Sequence, residues 1–338
     1  MAKARKIKGI DCNGSAIIGI QHVLIQRFDE MCAFRAAAVN WKDPEGVHSM
    51  RVASRRLRSA LRSFLSHLNE REVAPVAKQI KTIADALGDV RDQDVAIQAL
   101  QDLSSEAPKR FSDSLQQLID SRKERREAAR RNLKKQIGKT RLEQLTVEFR
   151  GAVTSVAQHQ VTTTLPASES SYLDVARAII DDRLSDLEQL SKSLYYPDDV
   201  QPLHDMRIAA KRLRYAIELF EECFPSDIGS FAKHAALLQT DLGQLHDCDV
   251  WIDDFRKRIA GFRKLAKRDE VETFVWLFAH YQELRNKYYR EAFFRWSSWQ
   301  ADDLSTKLTQ QLQPEPQPEP GRAMNSAGSE SASSSLAK

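Results

Sequence analysis

The chain has 338 residues, of which 42% are hydrophobic and 29% are charged, and its formal net charge at pH 7 is only +4. This length is enough for two or three domains, and the small net charge means that any site for a polyanion must be local. No run of about eighteen apolar residues occurs, so we predict no transmembrane helix. The N-terminus is basic, but residues 11–14, DCNG, interrupt the apolar core that a signal peptide would need, so we expect a cytoplasmic protein.

Apolar residues recur with a helical period from residue 15 to residue 300, so we predict an all-α protein. The expected helices cover residues 15–39, 44–68, 75–103 and 108–137 in a first set, and 171–194, 202–224, 228–259 and 269–296 in a second. We assign residues 10–140 and 170–300 to two repeats, and 141–169 to a connecting segment whose first half has a helical pattern. Residues 313–338 are rich in proline, serine and alanine, and we predict a disordered tail.

The second predicted helix carries the most informative pattern. Residues 47–64, VHSMRVASRRLRSALRSF, recur at 203–220 as LHDMRIAAKRLRYAIELF. Cations spaced three and four apart share one face of an α-helix, and apolar residues occupy the opposite face. Like charges at this spacing repel by a few tenths of a kcal/mol per pair, so a face of one sign favours an anionic ligand over simple solvation. The stripe consists of His48, Arg51, Arg55, Arg58 and Arg62 in the first copy, and of His204, Arg207, Lys211 and Arg214 in the second.

Each histidine lies near the start of its helix. Asp43-Pro44 and Pro202 are typical of helix starts, which carry unpaired N–H groups and a partial positive charge. Histidine ordinarily titrates near neutrality, so we expect anion binding to strengthen as the pH falls toward about 6. The second stripe is weaker than the first, because Glu218 stands at the position of Arg62.

Another motif recurs in the third helix of each set, as LGDVRDQDV at 87–95 and LGQLHDCDV at 242–250. Glycine inside a helix costs about 1 kcal/mol relative to alanine, so its presence in both copies indicates close helix packing or a close approach of ligand. The carboxylates of the motif cannot bind a polyanion themselves. We predict that they pair with arginines and fix their positions, and a magnesium site is the alternative. These carboxylates are Asp92, Asp94, Asp247 and Asp249.

Further cations lie outside the two stripes, and we predict that they extend a basic surface. They are Arg91 and His246 in the glycine motif, Lys78, Lys81 and Lys233 in the third helices, Arg126 and Arg130 in the first of the fourth helices, and Arg285 and Arg290 in the second. Aromatic residues interleave with Arg285 and Arg290. At helical spacing we expect most of them to belong to the core rather than to stack on bases.

The paired signatures H-x-x-R-[IV]-x-x-[RK]-R-L-R, each followed by L-G-x-x-[RH]-D-x-D-V, resemble those of the CHAD domain, a family of α-helical domains with conserved histidines. The resemblance covers residues 10–300. It implies two four-helix bundles related by pseudo-twofold symmetry, and it implies binding of inorganic polyphosphate in a basic groove or pore, in bacteria also on polyphosphate granules. By the same resemblance, the ligand residues would be those of the two stripes. They are His48, Arg51, Arg55 and Arg58 in the first copy, and His204, Arg207, Lys211 and Arg214 in the second. Arg56 and Arg212 complete the signature, but each points away from its stripe on a helical wheel.

We therefore predict non-catalytic binding of inorganic polyphosphate, with no cofactor, no metal and no membrane contact, and leave the oligomeric state open. Nucleic acid is expected only as a weaker competitor, since no DNA- or RNA-binding signature occurs. The other alternative is a phosphate-transfer enzyme with a phosphohistidine at His48 or His204. The sequence has no Walker-type loop, nor the E-x-E-x-K signature of the triphosphate-hydrolysing CYTH domain that some family members carry. The cysteines Cys12, Cys32, Cys223 and Cys248 lack the spacing of a zinc site.

Overall fold

The computed structural model of the protein describes residues 7–155, 170–224, 228–262 and 268–313. Within these ranges the regular structure is helical apart from one isolated bridge between Ser15 and Ser171, which confirms the all-α prediction. None of the described helices is long and apolar enough to cross a membrane. The α-helices are α1 (Ala16–Ala33), α2 (Arg35–Ala38), α3 (Glu45–Ser63), α4 (Glu70–Glu106), α5 (Ser112–Gln136), α6 (Lys139–Thr154), α7 (Tyr172–Leu190), α8 (Val200–Phe220), α9 (Gly229–Gly261), α10 (Arg268–Ala301) and α11 (Leu304–Leu312).

The first predicted helix is divided at Phe34 into α1 and the single turn α2. The start of α3 packs directly against α2, because a Cβ on Gly46 would lie only 2.1 Å from the carbonyl oxygen of Ala37. Only glycine permits this approach. The backbone N–H of Glu45 donates to the Asp43 carboxylate at 2.9 Å and so satisfies one of the unpaired groups at the helix start. The beginning of α3, which carries one of the two motif histidines, is thereby held against α2.

Two helices lie outside the predicted sets of four. The helix α6 forms the first half of the connecting segment, and its Phe149 stacks on Phe28 of α1 with ring centroids 4.3 Å apart. The helix α11 buries Leu304, Leu308 and Leu312. Because α6 and α11 both contribute to the core, the helical structure extends beyond the predicted repeats at each of these points. The second half of the connecting segment, from residue 156, and the predicted tail, from residue 314, lie outside the described residues.

Two apolar clusters join the repeats, and each takes residues from both. In the first cluster the equivalent residues Phe64, after α3, and Phe220, at the end of α8, contact each other edge to face with centroids 5.8 Å apart. The second cluster combines Leu100 and Phe111 with Phe255 and Leu277. Burial of apolar surface is the main stabilising term in folding, so the two repeats stabilise each other. The helices α3 and α8, which carry the cationic stripes, therefore meet at their C-terminal ends.

A disulfide between Cys12 and Cys223 ties the N-terminal segment to the residues after α8, with the two Cα atoms 5.4 Å apart. The same segment also pairs with the start of α7, where the backbone N–H of Leu173 donates to the carbonyl of Cys12. Ser171 forms a capping box with Asp174, as expected for a helix start. The bonded cysteines are 211 residues apart in the chain, so their spacing gave no indication that they pair.

Candidate anion-binding groove

The helix α3 separates an apolar face from a cationic face. Met50, Leu57 and Phe64 are fully buried in the core, as the spacing predicts. The opposite face lines an open groove of about 640 Å³ between α3, α4 and α8. Residues from both repeats reach this groove, so the two stripes face one common space. Seven cationic side chains line it, namely Arg51, Arg55, Arg58, Arg62, Arg207, Lys211 and Arg212, together with the three carboxylates Asp85, Asp89 and Asp92.

The second stripe differs from its prediction at His204, which does not line the groove, and at Arg212 and Arg214. Arg212, which the helical wheel directed away from the stripe, lines the groove. Arg214, which the resemblance implies as a ligand, is only 3% exposed and does not line it. Its Nε lies 3.2 Å from the carboxylate of Glu218, and its guanidinium covers the ring of Tyr215. Glu218, which stands where the first stripe has Arg62, thus pairs with Arg214 inside the protein. The ligand role expected for Arg214 therefore needs correction.

Carboxylates of the repeated glycine motif contact arginines on both neighbouring helices. In the first repeat Asp92 lies 3.5 Å from Nη2 of Arg51 on α3, and Asp94 lies 3.4 Å from Nη1 of Arg126 on α5. The second repeat follows the same scheme, because Asp249 lies 2.6 Å from Nε of Arg285 on α10.

The fourth motif carboxylate, Asp247, has the same neighbourhood as Asp92. Burial raises the pKa of both groups, and Arg207 opposes the shift at Asp247 as Arg51 opposes it at Asp92. Asp92 thus pairs with a stripe arginine, and the last acid of each motif, Asp94 or Asp249, pairs with an arginine of the following helix. As for the magnesium alternative, the described residues contain no group of three or more His, Cys, Asp or Glu side chains that could hold a metal ion.

The two motif histidines lie at the helix starts but are not among the residues that line the groove. Burial lowers the pKa of His48, and the nearby guanidinium of Arg91 lowers it further. Burial and then Arg207 lower the pKa of His204. Its Nδ1 lies 3.2 Å from Nδ1 of His246, whose own pKa falls to about 4, mainly through burial. Burial and neighbouring cations therefore lower the pKa of both histidines below its ordinary value, so in the free protein they become charged only at lower pH than an exposed histidine does.

Lys211 is the cation of the groove that titrates near neutrality. Burial, followed by the charges of Arg207 and Arg55, lowers its pKa to about 7. The Nε atoms of Arg55 and Arg207 are buried without a hydrogen-bond acceptor among the described residues. Like charges held close together, with donors unused, make the groove complementary to an anion with several charges.

Comparison with known proteins identifies the family of this chain. The family model of the CHAD domain matches residues 22–256, which is more than half of the chain. The chain belongs to the CHAD domain family. Members of this family are associated in general with inorganic polyphosphate. A comparison with curated protein sequences found no match.

Two solved structures share the fold. The CHAD domain from the plant Ricinus communis superimposes with a TM-score of 0.65 at 20% identity, over 83% of this chain and 90% of that chain. PptA from Streptomyces chartreusis gives a TM-score of 0.61 at 16% identity, over 84% of this chain and all of that chain. At these identities the likeness concerns the fold alone.

The remaining predicted cations of this CHAD protein lie apart from the groove. Arg91, Arg126 and Arg130 line a second cavity of about 520 Å³ on the first repeat. Arg285 pairs with Asp249 and donates to the carbonyl of Pro197. Lys81 forms an ion pair with Asp85, one of the groove carboxylates. Three others are exposed and line neither of these two cavities, namely Lys78, Lys233 and Arg290.

Proposed function

We propose that this protein binds inorganic polyphosphate, without catalysis, in the groove between α3, α4 and α8. The observation that carries the proposal is that cations from both repeats line one groove. Polyphosphate is a flexible chain with about one negative charge per phosphate, and arginine offers forked, permanently charged donors that match phosphate oxygens. A long polyanion relieves the repulsion among clustered cations, whereas a single small anion reaches only some of them.

The groove favours polyphosphate over nucleic acid because it offers no exposed aromatic surface for base stacking. Tyr215 is the one aromatic residue among those that line the groove. It is only 5% exposed, and the guanidinium groups of Arg55 and Arg214 lie 5.7 Å and 4.6 Å from its ring centroid. Proteins that bind single-stranded nucleic acid generally combine a cationic groove with stacking platforms. We expect RNA to compete weakly, through its phosphates alone.

The proposal is tested by titrating polyphosphate into wild-type protein and the variant Arg51→Ala/Arg207→Ala. Each charge-assisted contact contributes about 1.5–3 kcal/mol, so the double variant should bind roughly 100-fold more weakly. The matched control is Arg71→Ala/Arg141→Ala, which removes the same charge from exposed positions outside the groove.

Arg58→Ala is a second test, since no ion pair involving Arg58 is seen among the described residues. Unchanged affinity in folded groove variants would show that the ligand binds elsewhere.

Two further measurements address the mode of binding. Affinity should fall steeply with salt, because binding of a polyanion releases counterions, and the groove variant should show a shallower slope than the control. In competition, polyphosphate should displace labelled RNA at concentrations at which RNA does not displace polyphosphate. The reverse order would make nucleic acid the ligand.

Absence of catalysis is part of the proposal. Incubation of the protein with polyphosphate and magnesium, with and without ADP, should leave the chain length unchanged. Chain shortening, ATP formation or a phosphohistidine at His48 or His204 would replace binding with phosphate transfer. We also propose association with polyphosphate granules, and co-sedimentation of the wild type, but not of the groove variant, with isolated granules checks it.

A further inference from the structure

A second cationic cavity lies on the first repeat, beside the groove but separate from it. Its volume is about 520 Å³, and its lining comes from α4, α5 and the segment before α3. Arg91, Arg126 and Arg130 line it, together with Trp41. Groove and cavity share no lining residue, so the cavity is a distinct feature of the surface.

The cavity adjoins the groove through neighbouring residues of one helix. On α4, Asp92 lines the groove, and the residue before it, Arg91, lines the cavity. His48, at the start of the stripe on α3, is close enough to Arg91, Arg51 and Arg55 for their charges to lower its pKa. His48 lies one helical turn before the groove residue Arg51 on α3, and Arg91 directly precedes the groove residue Asp92 on α4, so both lie next to residues of the groove.

The arginines of the cavity are held in position and still have donors to spare. Arg126 pairs with Asp94 at 3.4 Å, and Arg130 pairs with Glu127 at 2.8 Å and covers the ring of Trp41 at 5.2 Å. The Nε atoms of both arginines are buried without a hydrogen-bond acceptor among the described residues. The two carboxylates in the lining, Asp94 and Asp102, already accept hydrogen bonds, from Arg126 and Gln98 respectively. Glu127 also lies 3.7 Å from Nε of Arg126, so Arg126 and Arg130 are both paired with acids. Arg91 has no ion pair among the described residues, so it is the guanidinium of the lining that is open to an anion.

In the second repeat the equivalent side chains donate hydrogen bonds to backbone carbonyls of the protein itself. Arg285 corresponds to Arg126, because each pairs with the last acid of its glycine motif. Four residues further along, Tyr289 stands where the first repeat has Arg130, and its hydroxyl donates to the carbonyl of Leu194. Arg285 itself donates to the carbonyl of Pro197. The segment between α7 and α8 therefore takes up these donors, whereas Arg126 and Arg130 are not seen to donate to a backbone carbonyl among the described residues.

We propose that a polyphosphate chain longer than the groove continues past His48 and Arg91 and binds the second cavity with its next phosphates. This inference rests on the proposed function and adds a direction to it, since the chain leaves the groove through the first repeat. It predicts that affinity depends on chain length: tripolyphosphate occupies the groove alone, whereas a long chain occupies groove and cavity together.

The test compares tripolyphosphate and long-chain polyphosphate as ligands of the full chain. The variant Arg126→Gln/Arg130→Gln should lose about tenfold or more in affinity for the long chain, because charge-assisted hydrogen bonds are lost, and nothing for tripolyphosphate. The control Arg125→Gln/Arg131→Gln removes the same charge from exposed positions of the same helix that do not line the cavity. It should bind both ligands like the wild type.

Arg91→Gln is a second cavity variant that breaks no ion pair seen among the described residues, and it should show the same selective loss if the paired arginines prove necessary for folding. Equal affinities of cavity and control variants for the long chain overturn the inference and leave the groove intact. Loss of affinity for both ligands also overturns it, since the cavity then does not act on long chains alone. If the wild type binds neither ligand, the proposed function itself fails.

Discussion

Arg207 lies against Gly243, so closely that a Cβ on this glycine would be 3.5 Å from Nε of the arginine. The first repeat has the same arrangement, with a distance of 3.8 Å between a Cβ on Gly88 and Nε of Arg51. Neither glycine has another helix backbone within 4 Å of that position. The glycine of the motif thus lies beside a stripe arginine rather than against another helix, and at these distances an added methyl group would make only an ordinary contact.

We expect Gly88→Ala to stabilise the protein and to leave polyphosphate affinity unchanged. At 3.8 Å the added methyl group makes an ordinary contact with Arg51. Alanine is the better helix former, so the free energy of unfolding should rise by about 0.5–1 kcal/mol, measured by urea denaturation. Gly88→Leu should reduce affinity, because Gly88 lines the groove and a large side chain would fill it. Weaker binding by the alanine variant would show that the ligand itself contacts this glycine.

Glu218 joins the two repeats through buried arginines. Its carboxylate lies 3.2 Å from Nε of Arg214 in its own helix and 3.8 Å from Nε of Arg56 on α3. The exposed fractions of these arginine side chains are 4% and 10%. Removing one partner of a buried ion pair is costly, because the remaining charge loses its compensation.

Glu218→Gln should therefore lower the free energy of unfolding by about 3 kcal/mol. The folded fraction should bind polyphosphate normally, since none of the three residues lines the groove. Denaturant unfolding measures the first effect and titration at low temperature the second, with the exposed Glu124→Gln as the control. A variant of normal stability and reduced affinity would restore Arg214 to the ligand set.

The cationic stripe on α3 could be predicted because it is a local property. The spacing of Met50 and Leu57 against Arg51 and Arg55 fixes the two faces of a helix before anything else is known. The partners of the motif carboxylates also followed from their chemistry. A helical wheel does not show how the helix is oriented toward its neighbours.

The second stripe illustrates this limit. The positions of Arg212 and Arg214 on α8 depend on how this helix packs against α3, and on Glu218, which draws Arg214 inward. The histidine pKa values depend on burial, which is likewise a tertiary property. Contacts between distant segments, such as the stacking of Phe149 on Phe28, leave no periodic signal in the sequence either.

Reduction of the disulfide between Cys12 and Cys223 should destabilise the protein without affecting the groove. The bond closes a loop with a separation of 211 residues, and in the chain-entropy account a link of this length contributes about 5 kcal/mol by constraining the unfolded chain. Cys12→Ser and reduced wild type should unfold at the same lower urea concentration and should bind polyphosphate like the oxidised protein. Reduced and oxidised protein of equal stability would argue against the bond.

The thiol count under denaturing conditions tests the same bond directly. Two thiols, those of Cys32 and Cys248, should react before reduction and four after it. Disulfides persist mainly in oxidising compartments. The count in freshly extracted protein therefore also tests the prediction of a cytoplasmic location, where four reactive thiols are expected.

Protonation of Lys211 should couple polyphosphate binding to pH. Its pKa in the free protein is about 7, because burial and the charges of Arg207 and Arg55 disfavour the ammonium form. A bound polyanion favours that form and raises the pKa, so binding above pH 7 takes up a proton. Affinity should then rise as the pH falls from about 9 to about 7, by at most tenfold per pH unit, and level off once Lys211 is charged in the free protein.

Lys211→Arg should remove this dependence, because arginine keeps its charge throughout the range. Its affinity at pH 9 should exceed that of the wild type, and the two proteins should converge toward pH 7. The exposed exchange Lys139→Arg, outside the groove, should keep the wild-type profile. Titrations in buffers of equal ionic strength separate the proton from salt effects, since the screening of charges is then constant. If Lys211→Arg retained the full pH dependence, another group of the groove would have to carry the proton.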